Sequence, residues 1–386
     1  MEVVLCWYLW LAQVYCLTFH AIAGFREDNM RYIISGGGTG GHIYPAIAIA
    51  DEIKKRDPEA DILFIGARSG LECQLVPAAG YRIQTITVSY LKRKLSFHNV
   101  KSAKMLIQGL IQVKKLIEDF RPHRVIGTGG YVSAPVVYVA ARKGIYTLIH
   151  EQNAYPGLTN RFLNKHASVV ALSFQEAAKH FKRKDNLALT GNPIRSAYYT
   201  LNKEKARSYF PEFQHDKMVL ISGGSGGSTL INEAVIALLQ KYEFPGYYLY
   251  WSTGKLHYEL IARILKEKGI EAVGHRIVPY IDEMPEALLA CDVMVGSAGA
   301  ITIAEVQAAQ RYAILIPKAY TADNHQEKNA RMLEKTGMAT VIPEKEISPE
   351  KLHQAIIKGL SIKGPEKREI PSKLPVEMIV EKLGIQ

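Results

Sequence analysis

Tyr32-Ile-Ile-Ser-Gly-Gly-Gly-Thr-Gly-Gly-His42, followed by Ile43-Tyr-Pro-Ala-Ile-Ala-Ile-Ala-Asp-Glu-Ile53, reads as a buried strand, a glycine turn and an amphipathic helix. The phrase returns about half the chain later. There Val219-Leu-Ile-Ser-Gly-Gly-Ser-Gly-Gly-Ser228 runs into Thr229-Leu-Ile-Asn-Glu-Ala-Val-Ile-Ala-Leu-Leu239. A glycine turn ahead of a helix exposes backbone N–H groups at the positive end of the helix dipole, which suits a phosphate. Two such units predict two Rossmann-like, parallel-sheet α/β domains facing across a cleft.

Composition agrees with a soluble two-domain protein. The chain has 386 residues and a net charge of +11, which points to an acidic partner such as phosphorylated substrates or an anionic membrane surface. No aromatic RNA-binding motif or zinc-finger spacing is present, so nucleic acid is not expected. The four cysteines, Cys6, Cys16, Cys73 and Cys291, show no CxxC or metal-ligand spacing, so reduced thiols and a cytosolic compartment are expected. Val3 to Gly24 is a nearly uncharged apolar run. It reads as an extension upstream of a true start at Met30, as a membrane anchor, or as a cleaved signal.

Outward from the glycine units the alternation continues. Strands are predicted at Asp61–Gly66, Tyr81–Val88 and Ile145–Ile149, with another entering the turn Gly127-Thr-Gly-Gly-Tyr131. The stretch Tyr90–Arg124 is basic and helical, with Lys92, Arg93, Lys94, Lys101, Lys104, Lys114 and Lys115 among apolar residues. It is either an ordinary surface helix or a patch for anionic headgroups. Ligands bind at the carboxyl ends of parallel strands, so Gly36–His42, Gly129–Tyr131 and His150–Asn153 should line one crevice. The turn Gly191-Asn-Pro-Ile-Arg195 marks the crossing into the second half. Strands follow at Tyr247–Trp251, Arg276–Val278, Asp292–Val295 and Ala313–Pro317, and Val341 closes the last of them.

Gly36-x-Gly-x-x-Gly41 also satisfies a dinucleotide fingerprint, but its second strand ends at Phe64-Ile-Gly-Ala-Arg68 without the acid that would hold a ribose. An NADP role through Arg68 would leave the second glycine unit and His42 unused. Transfer from a nucleotide-sugar uses them all. A diphosphate leaving group needs N–H groups and a helix start, offered at Gly223–Ser228 and Gly299–Thr302. Glu305 could accept both ribose hydroxyls, and His42 could take a proton from an attacking hydroxyl. The plainer readings are a turn-capping His42, a solvated Glu305 and a helix-capping Glu151.

The chain resembles the MurG family of peptidoglycan glycosyltransferases along nearly its whole length from Met30. The resemblance rests on Gly37-Gly-Thr-Gly-Gly-His42, Gly129-Gly-Tyr-Val-Ser133, His150-Glu-Gln-Asn153 and Gly191-Asn-Pro-Ile-Arg195. It rests equally on Gly223-Gly-Ser225 with Asn232, Ile281-Asp-Glu-Met284, Gly299-Ala-Ile-Thr302 with Glu305, and Asp323-Asn-His-Gln-Glu-Lys-Asn-Ala330. It implies a GT-B fold and inverting transfer of N-acetylglucosamine from UDP to the muramyl 4-hydroxyl of lipid I, an undecaprenyl-linked acceptor, giving lipid II and UDP. It further implies that Arg195, Ser225, Ala300, Ile301 and Thr302 contact the nucleotide and diphosphate, with Ile281 against uracil, Glu305 on the ribose and Gln326 on the sugar. Thr39, Gly40, Gly41 and His42 would face the acceptor diphosphate, with Tyr131, Glu151 and Asn153 near the reacting sugar. His42 is the favoured base, with Glu151 a second catalytic candidate. No metal or cofactor is expected, since no acidic pair or DxD motif demands a metal in the transfer step.

The domains are expected at 30–194 for acceptor and membrane and at 195–365 for donor, with 1–29 an extension and 366–386 a helix packing back on the first domain. The resemblance places the protein on the cytoplasmic face of the membrane, with cell-wall synthesis proteins as further partners. Departures cluster in the donor half: Gly226, Ser228, Ser297 in place of an arginine, Gln310-Arg-Tyr312 in place of Gly-Lys-Pro, and Trp251-Ser252 where a histidine usually stands. They keep two alternatives open: another GT-B glycolipid transferase with an altered donor, and a non-catalytic paralogue that binds the lipid precursor or a cell-wall partner.

Overall fold

The computed structural model describes residues 29–89, 97–213, 216–224, 226–321, 324–362 and 368–385. The expectations placed on 1–28, on Lys92, Arg93 and Lys94, and on Ser225 lie outside the described residues.

Two all-parallel sheets form, one from each half. The first contains β1 (Arg31–Gly36), β2 (Asp61–Ala67), β3 (Arg82–Ile86), β4 (Arg124–Gly129), β5 (Tyr146–Glu151), β6 (Val169–Leu172) and β7 (Leu187–Leu189), in the order β3-β2-β1-β4-β5-β6-β7. Helices α1 (Gly40–Arg56), α2 (Glu72–Ala78), α3 (Phe97–Phe120), α4 (Ser133–Arg142) and α5 (Leu158–Leu163) connect them. The chain then passes through α6 (Ala197–Thr200) and α7 (Lys203–Arg207) into the second sheet. That sheet holds β8 (Lys217–Ser222), β9 (Tyr247–Ser252), β10 (Arg276–Val278), β11 (Val293–Ser297), β12 (Tyr312–Ile316) and β13 (Ala339–Val341), in the order β10-β9-β8-β11-β12-β13. Its helices are α8 (Thr229–Lys241), α9 (Tyr258–Glu267), α10 (Met284–Ala290), α11 (Ala300–Ala309), α12 (His325–Glu334) and α13 (Pro349–Ser361), and α14 (Pro375–Glu381) ends the chain.

The strand sequences are continuous apolar runs because both faces of a parallel sheet are covered by helices. Tyr32, Ile33 and Ile34 are fully buried, as are Val219, Leu220 and Ile221. Helix α1 buries Ile43, Ala46, Ile49, Ala50 and Ile53 at helical spacing against one face of the first sheet. The last helix joins the same layer. Val376, Ile379, Val380 and Leu383 pack with these α1 residues, far from α13 in the second domain. Arg56 donates to the Ile385 carbonyl, Arg124 to Leu383 and Tyr146 to Lys382, so the carbonyl end of α14 meets cations and a hydroxyl.

Strand order reverses in each sheet beside its first strand: β1 lies between β2 and β4, and β8 between β9 and β11. A parallel sheet opens a crevice at such a point. Both glycine turns leave from it. At the first, the β1–β4 register shifts between Ser35 and Gly36, where the ladder gives way to the loop.

Candidate active site

The first glycine turn packs against the turn after β4. Gly130 has φ +80°, and a Cβ there would lie 2.3 Å from the Gly37 carbonyl oxygen, so no side chain fits. The second turn repeats the arrangement. Gly227 has φ +76°, and its Cβ would lie 2.3 Å from the Thr253 carbonyl oxygen. Backbone meets backbone at both switch points, where the turns lead into α1 and α8.

Glu72 organises the first turn from beneath. Its side chain is buried, and its carboxylate accepts from the N–H of Ala67 at 2.9 Å and of Gly38 at 3.0 Å. The Gly38 N–H is therefore already bound to an anion of the protein. The first-turn residues Thr39, Gly40 and Gly41 remain for a ligand. Thr39 is the extended N-cap of α1, and its side chain makes no capping bond.

His42 follows directly. Its Nδ1 lies 3.0 Å from the Thr128 carbonyl oxygen, and Thr128 Oγ1 donates back to the His42 carbonyl at 2.7 Å. A Cβ on Gly129 would come within 2.6 Å of Nδ1, so a glycine is required for the ring to sit there. Donation from Nδ1 to a carbonyl assigns the neutral tautomer, leaving the Nε2 lone pair as acceptor. Burial lowers the pKa of the ring, partly opposed by its bond to Thr128 and by Gln152.

Behind His42 lies a buried polar chain. Gln152 Nε2 donates to the Thr128 carbonyl at 2.6 Å and approaches His150 Nδ1 at 3.1 Å. His150 Nε2 meets the Gly191 carbonyl and Ser173 Oγ, both at 3.1 Å, and Ser173 donates to Asn192 Oδ1 at 2.8 Å. Asn192 Nδ2 reaches the Gln152 carbonyl and, across the domains, the Ala300 carbonyl at 3.4 Å. Burial pushes the His150 pKa down to about 4, so it serves this chain as a neutral ring.

Glu151 was expected beside the reacting sugar. The structure buries it and fills both of its oxygens. Oε1 accepts from the N–H and the side chain of Asn153, and Oε2 from the Gly157 N–H and Asn160 Nδ2. Gly157 is the N-cap of α5, so this is the helix-capping role, and the residue does not line the cleft. A side chain so fully bound holds the loop that presents Asn153. Tyr131 is half-buried beside Gly38 and also lies off the cavity wall as described.

The domains meet through that same loop. Asn329 of α12, fully buried, accepts from the Ala154 N–H at 3.0 Å and donates to Asn153 Oδ1 at 3.1 Å. Lys328 stacks over the Tyr155 ring at 3.9 Å. Tyr44 and Tyr280 bring their hydroxyls to 3.5 Å across the cleft.

Between the domains lies a cavity of about 1280 Å³. Its wall holds Thr39, Gly40, Gly41, His42 and Asn153 from the first domain. Arg195, Ile281, Ala300, Ile301, Thr302, Glu305 and Gln326 come from the second. Twelve residues singled out from sequence thus share one space. Glu305 sits beside Arg195 and the buried Tyr198. Burial pushes its pKa up to about 7, with the Arg195 charge pulling the other way. Arg195 donates to the Asp282 carbonyl at 3.4 Å. Ile281, nearly fully buried, offers an apolar wall. Gln326 Oε1 accepts from the Lys318 N–H at 3.0 Å, which leaves its amide N–H groups as donors to a ligand.

Known proteins match over both domains. Residues 32–172 match the glycosyltransferase family 28 N-terminal domain, and residues 218–374 match the glycosyltransferase family 28 C-terminal domain. A protein of Alkaliphilus oremlandii is 50% identical over 327 residues, covering 85% of this chain and 89% of its own length. It is named UDP-N-acetylglucosamine–N-acetylmuramyl-(pentapeptide) pyrophosphoryl-undecaprenol N-acetylglucosamine transferase. The chain belongs to the MurG family. A Clostridioides difficile relative of the same name is 43% identical, covering 86% of this chain and 81% of its own. The crystal structure of Acinetobacter baumannii MurG superposes with a TM-score of 0.66 at 25% identity, covering 85% of this chain and 90% of that one. The two-domain GT-B architecture is therefore that of the MurG family. A UDP-GlcNAc 2-epimerase of Methanocaldococcus jannaschii, at 13% identity and TM-score 0.62, shares the fold alone.

Glu72, Gln152 and Lys318 were not singled out as site residues from sequence. The one local signal for Glu72 is that it is an acid in the first turn of α2. Its place under Gly37, Gly66 and Gly70 is visible only in three dimensions.

Proposed function

We propose that this chain transfers N-acetylglucosamine from UDP-N-acetylglucosamine to the muramyl 4-hydroxyl of lipid I, releasing UDP and lipid II. The observation that carries the reading is a cavity walled by both glycine turns, with His42 on one side and Glu305, Ile281 and Gln326 on the other. The acceptor hydroxyl enters from the first domain. His42 Nε2 accepts its proton as the oxygen attacks the anomeric carbon from the face opposite UDP, which inverts that centre. Charge growing on the departing diphosphate is met by the second glycine turn and the start of α11, both on the cavity wall. Glu151 and Glu72 act as positioning residues, one for Asn153 and one for the first glycine turn.

The test is direct. Purified protein, UDP-N-acetylglucosamine and a lipid I analogue should yield lipid II and UDP in equal amounts. Binding of both substrates without product would favour the non-catalytic paralogue. Turnover with a different nucleotide-sugar only would favour the altered-donor transferase.

The acceptor is a lipid, and a membrane-facing surface is proposed with it. Among the described residues, no helix is long and apolar enough to cross a membrane. On α3, Ile107 and Ile111 are 60% and 66% exposed, and the exposed Lys104 and Lys114 continue the same helical stripe. This stripe rests on anionic headgroups in our reading. Replacing both isoleucines with serine should weaken binding to phosphatidylglycerol vesicles roughly 10- to 100-fold, while UDP binding in the other domain stays as in the parent. Vesicle binding equal to the parent's in a sedimentation assay would make the stripe an ordinary solvated face.

A further inference from the structure

We propose that Lys318 is the cation that holds the donor's diphosphate in this protein; the proposal rests on the nucleotide-sugar reading above. A diphosphate leaving group carries its charge where the sugar's anomeric carbon–oxygen bond breaks, and a helix start alone supplies only partial positive charge. Among the described residues that line the cavity, lysine or arginine stands at three positions: Lys55, Arg195 and Lys318. Lys55 lies on α1 in the first domain and pairs with Glu52. Arg195 is bound to the Asp282 carbonyl and sits beside Glu305, at the end of the cavity proposed for the ribose. Ser297, at the end of β11, is neutral, and its Oγ donates to the Gly223 carbonyl at 3.1 Å.

Lys318 occupies the position these residues leave open. It follows β12 at the rim of the second switch point, and its Nζ lies 3.4 Å from the Gly227 carbonyl, in the turn that opens α8. An ammonium group has three donors, and one long contact to a carbonyl leaves capacity for phosphate oxygens. Its own N–H donates to Gln326 Oε1, the side chain proposed to read the sugar. One residue therefore ties the diphosphate end of the donor to its sugar end. Bond cleavage delivers an electron pair to the β-phosphate oxygen, and Lys318 would neutralise that charge as it forms.

The experiment compares UDP with uridine, by calorimetry, on the parent protein, Lys318→Met and Lys318→Arg, with turnover measured alongside. UDP affinity should fall roughly 10- to 100-fold in Lys318→Met, uridine affinity should be unchanged, and kcat should drop as well. Lys318→Arg should restore UDP affinity to within about tenfold of the parent. Parent-like UDP binding by Lys318→Met would overturn the proposal, as would an equal loss of uridine binding, which would mark a folding role. A parent protein that binds UDP no better than uridine would overturn the nucleotide-sugar reading and the proposal together.

Discussion

Replacing His42 with alanine should lower turnover roughly 10²- to 10⁴-fold, with donor binding nearly unchanged. The size of the effect follows from the geometry. The ring is fixed by Nδ1 on the Thr128 carbonyl and lies against Gly129, so Nε2 is held as the acceptor without any rearrangement. Burial keeps the ring pKa below its ordinary value, which favours the neutral ring and its free lone pair at neutral pH. The sign of the pH dependence follows. Protonation blocks the base, so kcat should be flat above neutral pH and should fall as pH drops through a value below 6.5. Steady-state kinetics over pH 5–8 with calorimetry of UDP checks both parts. Turnover of His42→Ala within a few-fold of the parent would remove the residue from the proton transfer.

The features that were legible in the sequence are local ones. A strand, a glycine turn and a helix start are contiguous, so both switch-point loops and nine of the twelve cavity residues are legible in short phrases, while Arg195, Ile281 and Gln326 come only with the family resemblance. Positions fixed by local chemistry came out close: β10 was expected and found at Arg276–Val278, and α11 begins at Ala300 as read from the Gly299 turn. Helix α3 is shorter than the basic stretch suggested. Arg121 turns to φ +50° ahead of Pro122, which ends the helix at Phe120. The short strands β6 and β7 went unread, because four and three residues offer no periodicity.

The contacts that the sequence does not reveal share a physical cause: each is set by how the loops fold, not by a local pattern. Glu151 has a reactive side-chain type at a strand end, the usual place for a ligand. Only the folded loop shows Asn153, Gly157 and Asn160 saturating both oxygens. Asn329 sits in a motif read for sugar binding, yet it spends both ends of its amide on Asn153 and Ala154 in the other domain. Lys318 carries no pattern at all; its meaning comes from the proximity of β12 to a turn 91 residues earlier.

Glu305 provides the other large expected effect, and it carries a pH signature of its own. A carboxylate accepting two ribose hydroxyls makes charge-assisted bonds, and its removal strands them. Glu305→Ala should therefore weaken uridine and UDP binding by about 1.5–3 kcal/mol, or roughly 10- to 150-fold. In the ligand-free protein burial raises its pKa from 4.5 to about 7, against the pull of Arg195. Between those values the folded state keeps a proton that the unfolded chain has released. Stability of the ligand-free protein should therefore decline as pH rises through that window, and Glu305→Gln should flatten the decline. Ligand binding runs the opposite way. The ribose hydroxyls donate to the ionised carboxylate, so a protonated Glu305 must first lose its proton. With a pKa of about 7, uridine should bind about tenfold more tightly at pH 8 than at pH 6, with proton release on binding at the lower pH. Uridine is the right probe because it has no phosphate to titrate in that range. Calorimetry in two buffers of different ionisation enthalpy reads both affinity and proton release. Uridine affinity independent of pH, together with parent-like binding by Glu305→Ala, would move the ribose away from this carboxylate and with it the placement of the nucleotide in the second domain.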